Sequence, residues 1–106
     1  MERRYSKDQL LTNIMIYWVT HSINSSARLY YEQHHHPFRL APGEKCQAPT
    51  AVALFPKELS RPPRRWAERI YNLKRFTIMP SGGHFAAMEE PAALAADIRA
   101  FFRELS

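Results

Sequence analysis

The sequence predicts an α/β fold in which strands and helices alternate from residue 51 onward. Two short apolar segments that end at a proline, residues 51–55 and 75–79, are typical of buried strands. The segments between and after them carry apolar residues at helical spacing. Strands joined by a crossover helix normally lie parallel in one sheet. We therefore expect two parallel strands with a crossover helix and a C-terminal helix.

A first helix is predicted near the N-terminus, ahead of this α/β segment. Ser6 can act as its N-cap, and Gln9, three residues later, completes the pattern of a capping box. Apolar side chains then recur at helical spacing, so the helix is predicted over residues 7–19. These apolar positions are Leu10, Leu11, Ile14, Met15 and Trp18.

A second helix and a long connection follow before the first strand. Ser22 or Ser25 can begin this helix, which continues to about Gln33 and ends before Pro37. Residues 37–50 show no periodicity and are rich in proline, so they are predicted as a connecting loop. The chain thus divides into a helical region at 1–36, the loop at 37–50 and the α/β part at 51–106.

The α/β part continues with two helices and a tight loop. Pro62-Pro63 can begin the crossover helix, whose apolar positions are Trp66, Ile70 and Leu73. Ser81-Gly82-Gly83 form a tight turn after the second strand, and Pro91 begins the last helix. Its apolar stripe consists of Leu94, Ile98, Phe101, Phe102 and Leu105. Two strands alone leave sheet edges and helix faces uncovered, so we expect self-association or a missing remainder of the sheet.

Composition excludes several classes of protein. A length of 106 residues allows one domain at most, and 45% hydrophobic with 24% charged residues is ordinary globular composition. No segment reaches the ~18 consecutive apolar residues of a membrane span. The charged start of the chain has no apolar core of a secretory signal, and the single cysteine, Cys46, cannot form an internal disulfide. These features predict a cytoplasmic protein.

The net charge of +5 and a pI near 9.7 raise the alternative of a basic nucleic-acid-binding module. Aromatic residues do not alternate with the cations of the densest stretch as stacking platforms would require. We therefore interpret this stretch as a solvated helix face and expect no nucleic-acid partner. Its cations are Arg61, Arg64, Arg65, Arg69, Lys74 and Arg75.

A candidate catalytic pair lies after the two strands. His84 follows Gly82-Gly83, and Glu58 lies just past the end of the first strand. Loops at the carboxyl ends of parallel strands border the ligand crevice of open α/β sheets. We predict that these side chains face each other within hydrogen-bond reach. A carboxylate on one imidazole nitrogen fixes the tautomer and leaves the other nitrogen as a general base.

The local sequences resemble those of a known family. Gly-Gly-His-Phe-Ala-Ala-Met-Glu-Glu-Pro at 82–91 resembles the histidine motif of epoxide hydrolases in the α/β-hydrolase superfamily. Phe-Pro-Lys-Glu-Leu at 55–59 is similar to the segment that holds the acid in their microsomal-type branch. Residues 8–18 and 25–32 resemble the end of the cap region that precedes it. The resemblance covers essentially the whole chain in the same order.

This resemblance implies roles for individual residues. His84 matches the general base and Glu58 the charge-relay acid. Tyr30, with Tyr31 as the alternate, matches one tyrosine of the cap pair that holds the epoxide oxygen, where a phenol donates to the developing alkoxide. The substrate so implied is a lipophilic epoxide, hydrolysed to a vicinal diol through an aspartyl ester. No cofactor and no metal are expected.

The chain departs from the family pattern at the nucleophile. Epoxide hydrolases open the ring with an aspartate on a strand–turn–helix elbow. Asp8 begins the first helix and Asp97 lies within the last, and no Gly-x-Ser-x-Gly is present. The sequence therefore predicts a C-terminal portion of an epoxide hydrolase that is inactive alone. A remnant of an interrupted gene without present function is the further alternative.

Two other features of the sequence are weaker candidates for a functional site. His34-His35-His36 are consecutive, and on a helix their side chains diverge by about 100° each, which suits a shared metal ion poorly. Cys46 lies in the proline-rich loop without a base beside it in sequence. We expect neither to form a site.

Overall fold

The computed structural model describes residues 5–106, so the first four residues of the predicted helical region lie outside the described part. The chain divides into two compact units after Arg39. The first unit is helical, and the second contains the sheet. Among the described residues, no helix combines the length and the apolar character that crossing a membrane requires.

The first unit begins with α1, Lys7–Thr20, close to the predicted bounds. The capping box is formed: the Gln9 N–H donates to Ser6 Oγ at 3.1 Å, and the Ser6 N–H donates to Gln9 Oε1 at 2.8 Å. The helix ends at His21, whose φ of 53° places it in the left-handed region. The capping prediction is therefore confirmed.

The second helix, α2, spans Ile23–His35. Ser22 occupies its N-cap position, whereas Ser25 lies inside the helix and donates from Oγ to the Ser22 carbonyl oxygen at 2.9 Å. No described side chain of α1 or α2 is buried. Many apolar side chains are therefore exposed, including Leu11, Ile14, Met15, Ile16, Trp18, Val19 and Leu29.

The second unit is built on two parallel strands, as predicted. Strand β1 spans Cys46–Leu54 and β2 spans Tyr71–Ile78. The strands are longer than the apolar segments that predicted them. β1 begins at Cys46 within the predicted loop, and its register is irregular around Pro49, which has no N–H to donate. The loop prediction is wrong from Cys46 onward.

The crossover helix is shorter than its apolar spacing predicted. Helix α3 spans Arg64–Ile70, and β2 follows it directly. Leu73, placed in the helix by its spacing, instead pairs with Thr50 across the sheet. Strand pairing prevails here over local helical spacing.

The last two helices are α4, Ala86–Glu89, which the sequence analysis missed, and α5, Pro91–Leu105, which begins at the predicted proline. On α5, Phe101 and Asp97 are buried. Asp97 Oδ1 accepts hydrogen bonds from Arg75 Nε and Thr77 Oγ1, both at 2.8 Å. The hydrogen bond with Asp97 raises the pKa of Arg75. This cluster fastens α5 to β2.

Candidate active site

The sheet pairing continues beyond the two strand ends. Phe55 follows β1 and Met79 follows β2, and both are buried. The Met79 N–H donates to the Leu54 carbonyl oxygen at 2.9 Å. Further along, the Lys57 N–H donates to the Gly82 carbonyl oxygen at 3.1 Å. The loops that follow β1 and β2 therefore run side by side at the carboxyl end of the sheet.

Glu58 and His84 lie on these two loops and contact each other. His84 Nδ1 is 2.6 Å from Glu58 Oε1, and the two side chains are 49% and 28% exposed. An ionised carboxylate only accepts hydrogen bonds, so Nδ1 carries the proton and Nε2 is the nitrogen that can accept one. The contact expected from the sequence is present. Chemically, such an arrangement can take a proton from a bound water.

The contact lowers the pKa of Glu58 below its ordinary value of 4.5. The hydrogen bond with His84 is the largest cause, and the Leu59 N–H, which donates to the same oxygen at 2.7 Å, lowers this pKa further. Partial burial acts in the opposite direction. Glu58 is therefore ionised across the neutral range.

Two glycines allow the His84 loop to approach its neighbours. Gly82 has a φ of +99°, and a Cβ there would lie 2.7 Å from Glu90 Cγ and 3.0 Å from the Phe55 ring. A Cβ on Gly83 would lie 3.0 Å from the Lys57 carbonyl oxygen. Glycine is thus required at position 82, whereas a side chain at position 83 would push the Lys57 backbone by a few tenths of an ångström.

Three polar residues beside His84 were not identified from the sequence. Ser81 donates from Oγ to Glu90 Oε1 at 2.8 Å, and the Phe85 N–H donates to Glu89 Oε1 at 3.1 Å. The signal in the sequence is the pair of glutamates directly before the proline that begins α5. Acidic residues at a helix N-terminus commonly accept backbone or hydroxyl hydrogen bonds.

The two cap-like tyrosines lie on α2 of the first unit. Tyr30 and Tyr31 are both exposed, with 77% and 61% of their surfaces accessible. The Tyr31 ring stacks on His35, with ring centroids 3.9 Å apart. Both belong to a different unit from the Glu58–His84 pair.

Both aspartates lie on helices. Asp8 is in the first turn of α1, and Asp97 is buried on α5. The carboxylate of Asp97 is engaged with Arg75 and Thr77. Neither residue lies on a turn between a strand and a helix, which is where an elbow nucleophile is found.

The other residues considered from the sequence are the three consecutive histidines, Cys46 and the basic stretch. His35 Nδ1 donates to the Tyr31 carbonyl oxygen at 2.8 Å, and Cys46 begins β1. Within residues 5–106, no group of three or more potential ligands could hold a metal ion. In the basic stretch, Arg64 pairs with Glu68 at 2.8 Å, and Arg75 pairs with Asp97 and Glu104. These ion pairs partly neutralise the surface that the nucleic-acid alternative requires.

No family model matches this chain. Individual known proteins are nevertheless similar to it over nearly its whole length. The chain is 47% identical over 104 residues to Epoxide hydrolase 1 of Oryctolagus cuniculus, which covers 95% of this chain and 23% of the relative. It is 41% identical over 101 residues to Juvenile hormone epoxide hydrolase 2 of Ctenocephalides felis, covering 92% of the chain and 22% of that protein.

A solved structure gives the same relationship. The crystal structure of juvenile hormone epoxide hydrolase from the silkworm Bombyx mori matches 95% of this chain with a TM-score of 0.81 and 36% sequence identity, over 26% of that protein. The chain thus spans about a quarter of the length of the relatives that it matches. In sequence and in fold the chain is similar to part of the epoxide hydrolases, which have the α/β-hydrolase fold, and this partial coverage is consistent with a C-terminal portion of such a protein.

Proposed function

We propose that this chain supplies the general base and its orienting acid to an epoxide-hydrolysing active site. The observation that carries the proposal is the 2.6 Å contact between His84 Nδ1 and Glu58 Oε1 at the carboxyl end of the sheet. The names of the relatives, which are epoxide hydrolases, support the reaction class. The nucleophilic aspartate is proposed to come from the part of the α/β-hydrolase fold that this chain does not span.

In this proposal the aspartate opens the epoxide and forms an ester, and His84 acts in the step that follows. Its Nε2 takes a proton from a water molecule while the water oxygen attacks the ester carbonyl carbon. The bond from that carbon to the substrate oxygen then breaks, and this oxygen takes the proton of the added hydroxyl, which restores the aspartate carboxylate. The proton on Nε2 passes to the alkoxide left by ring opening, so that a neutral diol is released and His84 becomes a base again. Glu58 holds Nδ1–H and stabilises the imidazolium that forms meanwhile.

Tyr30 is the proposed donor to the epoxide oxygen during ring opening, with Tyr31 as the alternate. A phenol positioned there stabilises the oxygen as it becomes an alkoxide. The exposure of Tyr30 on α2 leaves its side chain accessible for such a role. The proposed substrate is a lipophilic epoxide, and every step is acid–base or nucleophilic, so the proposal requires no cofactor.

A segment graft tests this proposal. In the graft, this chain replaces the matching segment of Oryctolagus cuniculus Epoxide hydrolase 1. The two segments are 47% identical over 104 residues. We expect the grafted enzyme to convert styrene oxide into its diol, with the parent enzyme as the positive control. A grafted enzyme that folds, as judged by circular dichroism, but does not turn over would contradict the proposal.

The lowered pKa of Glu58 gives a pH prediction. In the grafted enzyme we expect the Glu58 carboxyl to titrate below pH 4.5, and nearer 4.5 after His84→Ala removes its main hydrogen-bond donor. Because the pKa is lowered on folding, the stabilisation is complete above the unfolded pKa and is lost as the pH falls through the folded pKa. Carbon-13 NMR of labelled glutamate carboxyls measures both values. Equal Glu58 pKa values in the two proteins would contradict the assigned contact.

Gly82→Ala should displace the His84 loop. Alanine at a φ of +99° is strained, and its Cβ would lie 2.7 Å from Glu90 Cγ. We expect a loss of about 1–3 kcal/mol of stability, measured by thermal unfolding of the grafted enzyme, together with a lower kcat. Gly43→Ala is the matched control, because Gly43 also has a positive φ but nothing lies within 4 Å of its Cβ position. Equal effects of the two substitutions would show that the close approach at Gly82 is unimportant.

A further inference from the structure

We propose that Glu89 and Glu90 are positioning residues that hold His84 against Glu58 by binding the two ends of the loop at 81–85. The inference rests on the proposed function, and it assigns to this pair a task beyond their place in α4 and at the start of α5. Their carboxylates accept hydrogen bonds from Ser81 and Phe85, on either side of His84.

Glu90 fixes the beginning of the loop. Its Oε1 accepts the hydrogen bond from Ser81 Oγ at 2.8 Å in a partly buried position. Its backbone is part of the helix start, since the Leu94 N–H donates to the Glu90 carbonyl oxygen at 3.0 Å. The stem of Glu90 lies directly against Gly82, where a Cβ would be 2.7 Å from Cγ. The loop is therefore attached to the N-terminal end of α5.

Glu89 fixes the end of the loop. Its Oε1 accepts the hydrogen bond from the Phe85 N–H at 3.1 Å, and its own N–H donates to the Phe85 carbonyl oxygen at 2.9 Å. Its Oε2 lies 3.3 Å from the position that a Cβ on Gly83 would take. Glu89 therefore accepts a hydrogen bond from the residue after His84 and leaves little space beside the residue before it.

The third attachment of the loop comes from the segment that follows β1. The Lys57 N–H donates to the Gly82 carbonyl oxygen at 3.1 Å, and Lys57 precedes Glu58 in the chain. The loops of the acid and the base are thus joined through backbone, while the two glutamates hold the base loop from the helix side. A displacement of about 1 Å of a catalytic group can lower the rate ~10²-fold. In this proposal the three attachments affect the rate by fixing the position of His84, and they do so without contacting the substrate.

The test compares alanine with glutamine at both positions in the grafted enzyme. Glu89→Ala and Glu90→Ala remove the acceptor, whereas Glu89→Gln and Glu90→Gln keep an amide oxygen that still accepts. Ser81→Ala removes the donor to Glu90. Glu68→Ala is the control, because Glu68 forms only an exposed i,i+4 pair with Arg64 among the contacts described for it. Two measurements follow: nitrogen-15 NMR of labelled histidine, which reports the tautomer of His84, and the split between kcat and KM.

For the unsubstituted graft we expect a single neutral tautomer of His84 with the proton on Nδ1. The alanine variants and Ser81→Ala should give a mixture of tautomers and a kcat lower by roughly tenfold to a hundredfold, with KM nearly unchanged. The glutamine variants and Glu68→Ala should behave like the unsubstituted graft. A single Nδ1–H tautomer in all of the alanine variants would overturn the inference, even if kcat falls.

The two proposals fail in distinguishable ways. Turnover that survives His84→Ala would overturn the proposed function, whereas the NMR measurement on the folded graft would still decide whether Glu89 and Glu90 position His84. Full turnover in Glu89→Ala and Glu90→Ala, together with its loss in His84→Ala, would overturn only the positioning role.

Discussion

His84→Ala in the grafted enzyme should reduce diol formation by about 10²–10⁴-fold, the usual contribution of a general base. In the proposed mechanism, ring opening by the aspartate does not need His84, whereas hydrolysis of the resulting ester does. The variant should therefore accumulate one covalently bound substrate per enzyme molecule. Intact-protein mass spectrometry after mixing with styrene oxide measures this adduct, and steady-state assays measure the rate.

Substitution of Glu58 should have a smaller effect on turnover than substitution of His84. Glu58→Ala should lower kcat less than His84→Ala, because Nε2 remains but its ring loses the 2.6 Å contact that orients it. Glu68→Ala, which removes an exposed carboxylate of α3, should leave turnover unchanged. Unchanged turnover in His84→Ala would show that another group activates the water. A loss of turnover in His84→Ala without accumulation of the covalent adduct would show that His84 acts in ring opening instead.

Helices with local signals were well predicted. Ser6 and Gln9 form the capping box that the sequence indicates, and α5 begins at Pro91. A cap uses side chains only three residues apart, so it is visible in the sequence without knowledge of tertiary contacts. These elements came close to their predicted bounds for that reason.

The strand boundaries depended on tertiary contacts and were predicted less well. Leu73 has helical spacing with Trp66 and Ile70, yet it pairs with Thr50 in the sheet. Cys46 has no apolar neighbours in sequence, yet it begins β1 by pairing with Tyr71. Strand residues gain their stability from cross-strand partners, which single-sequence patterns do not specify.

The contact between Glu58 and His84 was predictable from the sequence, whereas the surrounding hydrogen bonds of Glu89 and Glu90 were not. His84 after two glycines and Glu58 after the other strand indicated the contact, because parallel strands end at the same edge of a sheet. The roles predicted for them came from the family resemblance, since a histidine beside glycines is by itself a weak signal of catalysis. Glu89 and Glu90 escaped notice because their importance depends on where the loop folds back, which only the structure shows.

The purified 106-residue chain should show no detectable epoxide hydrolysis and should self-associate or behave as a molten globule. In the proposed function it supplies a base and an acid, and neither aspartate lies on an elbow. Base assistance to water alone contributes typically ~10²–10⁴-fold, far less than a complete enzyme site. Turnover should therefore require the graft, and robust turnover by the chain alone would contradict the interpretation as a portion of a larger enzyme.

The expected association follows from how little the described residues bury. The buried apolar side chains of residues 5–106 are Phe55, Ala67, Met79 and Phe101, all in the second unit. Trp18 and Trp66 are 75% and 54% exposed, and the two-stranded sheet has unpaired outer edges. Apolar surface and open edges of this kind normally pair with another polypeptide.

Three measurements separate the outcomes for the isolated chain. Sedimentation velocity should show concentration-dependent association, near-ultraviolet circular dichroism should show weak tryptophan signals, and a hydrophobic dye should bind strongly. In the grafted enzyme, where the remaining strands can cover these faces, the same segment should unfold cooperatively with the rest. A monomeric chain with one sharp unfolding transition would contradict the prediction, because it would mean that the small core of the second unit suffices for an independent fold.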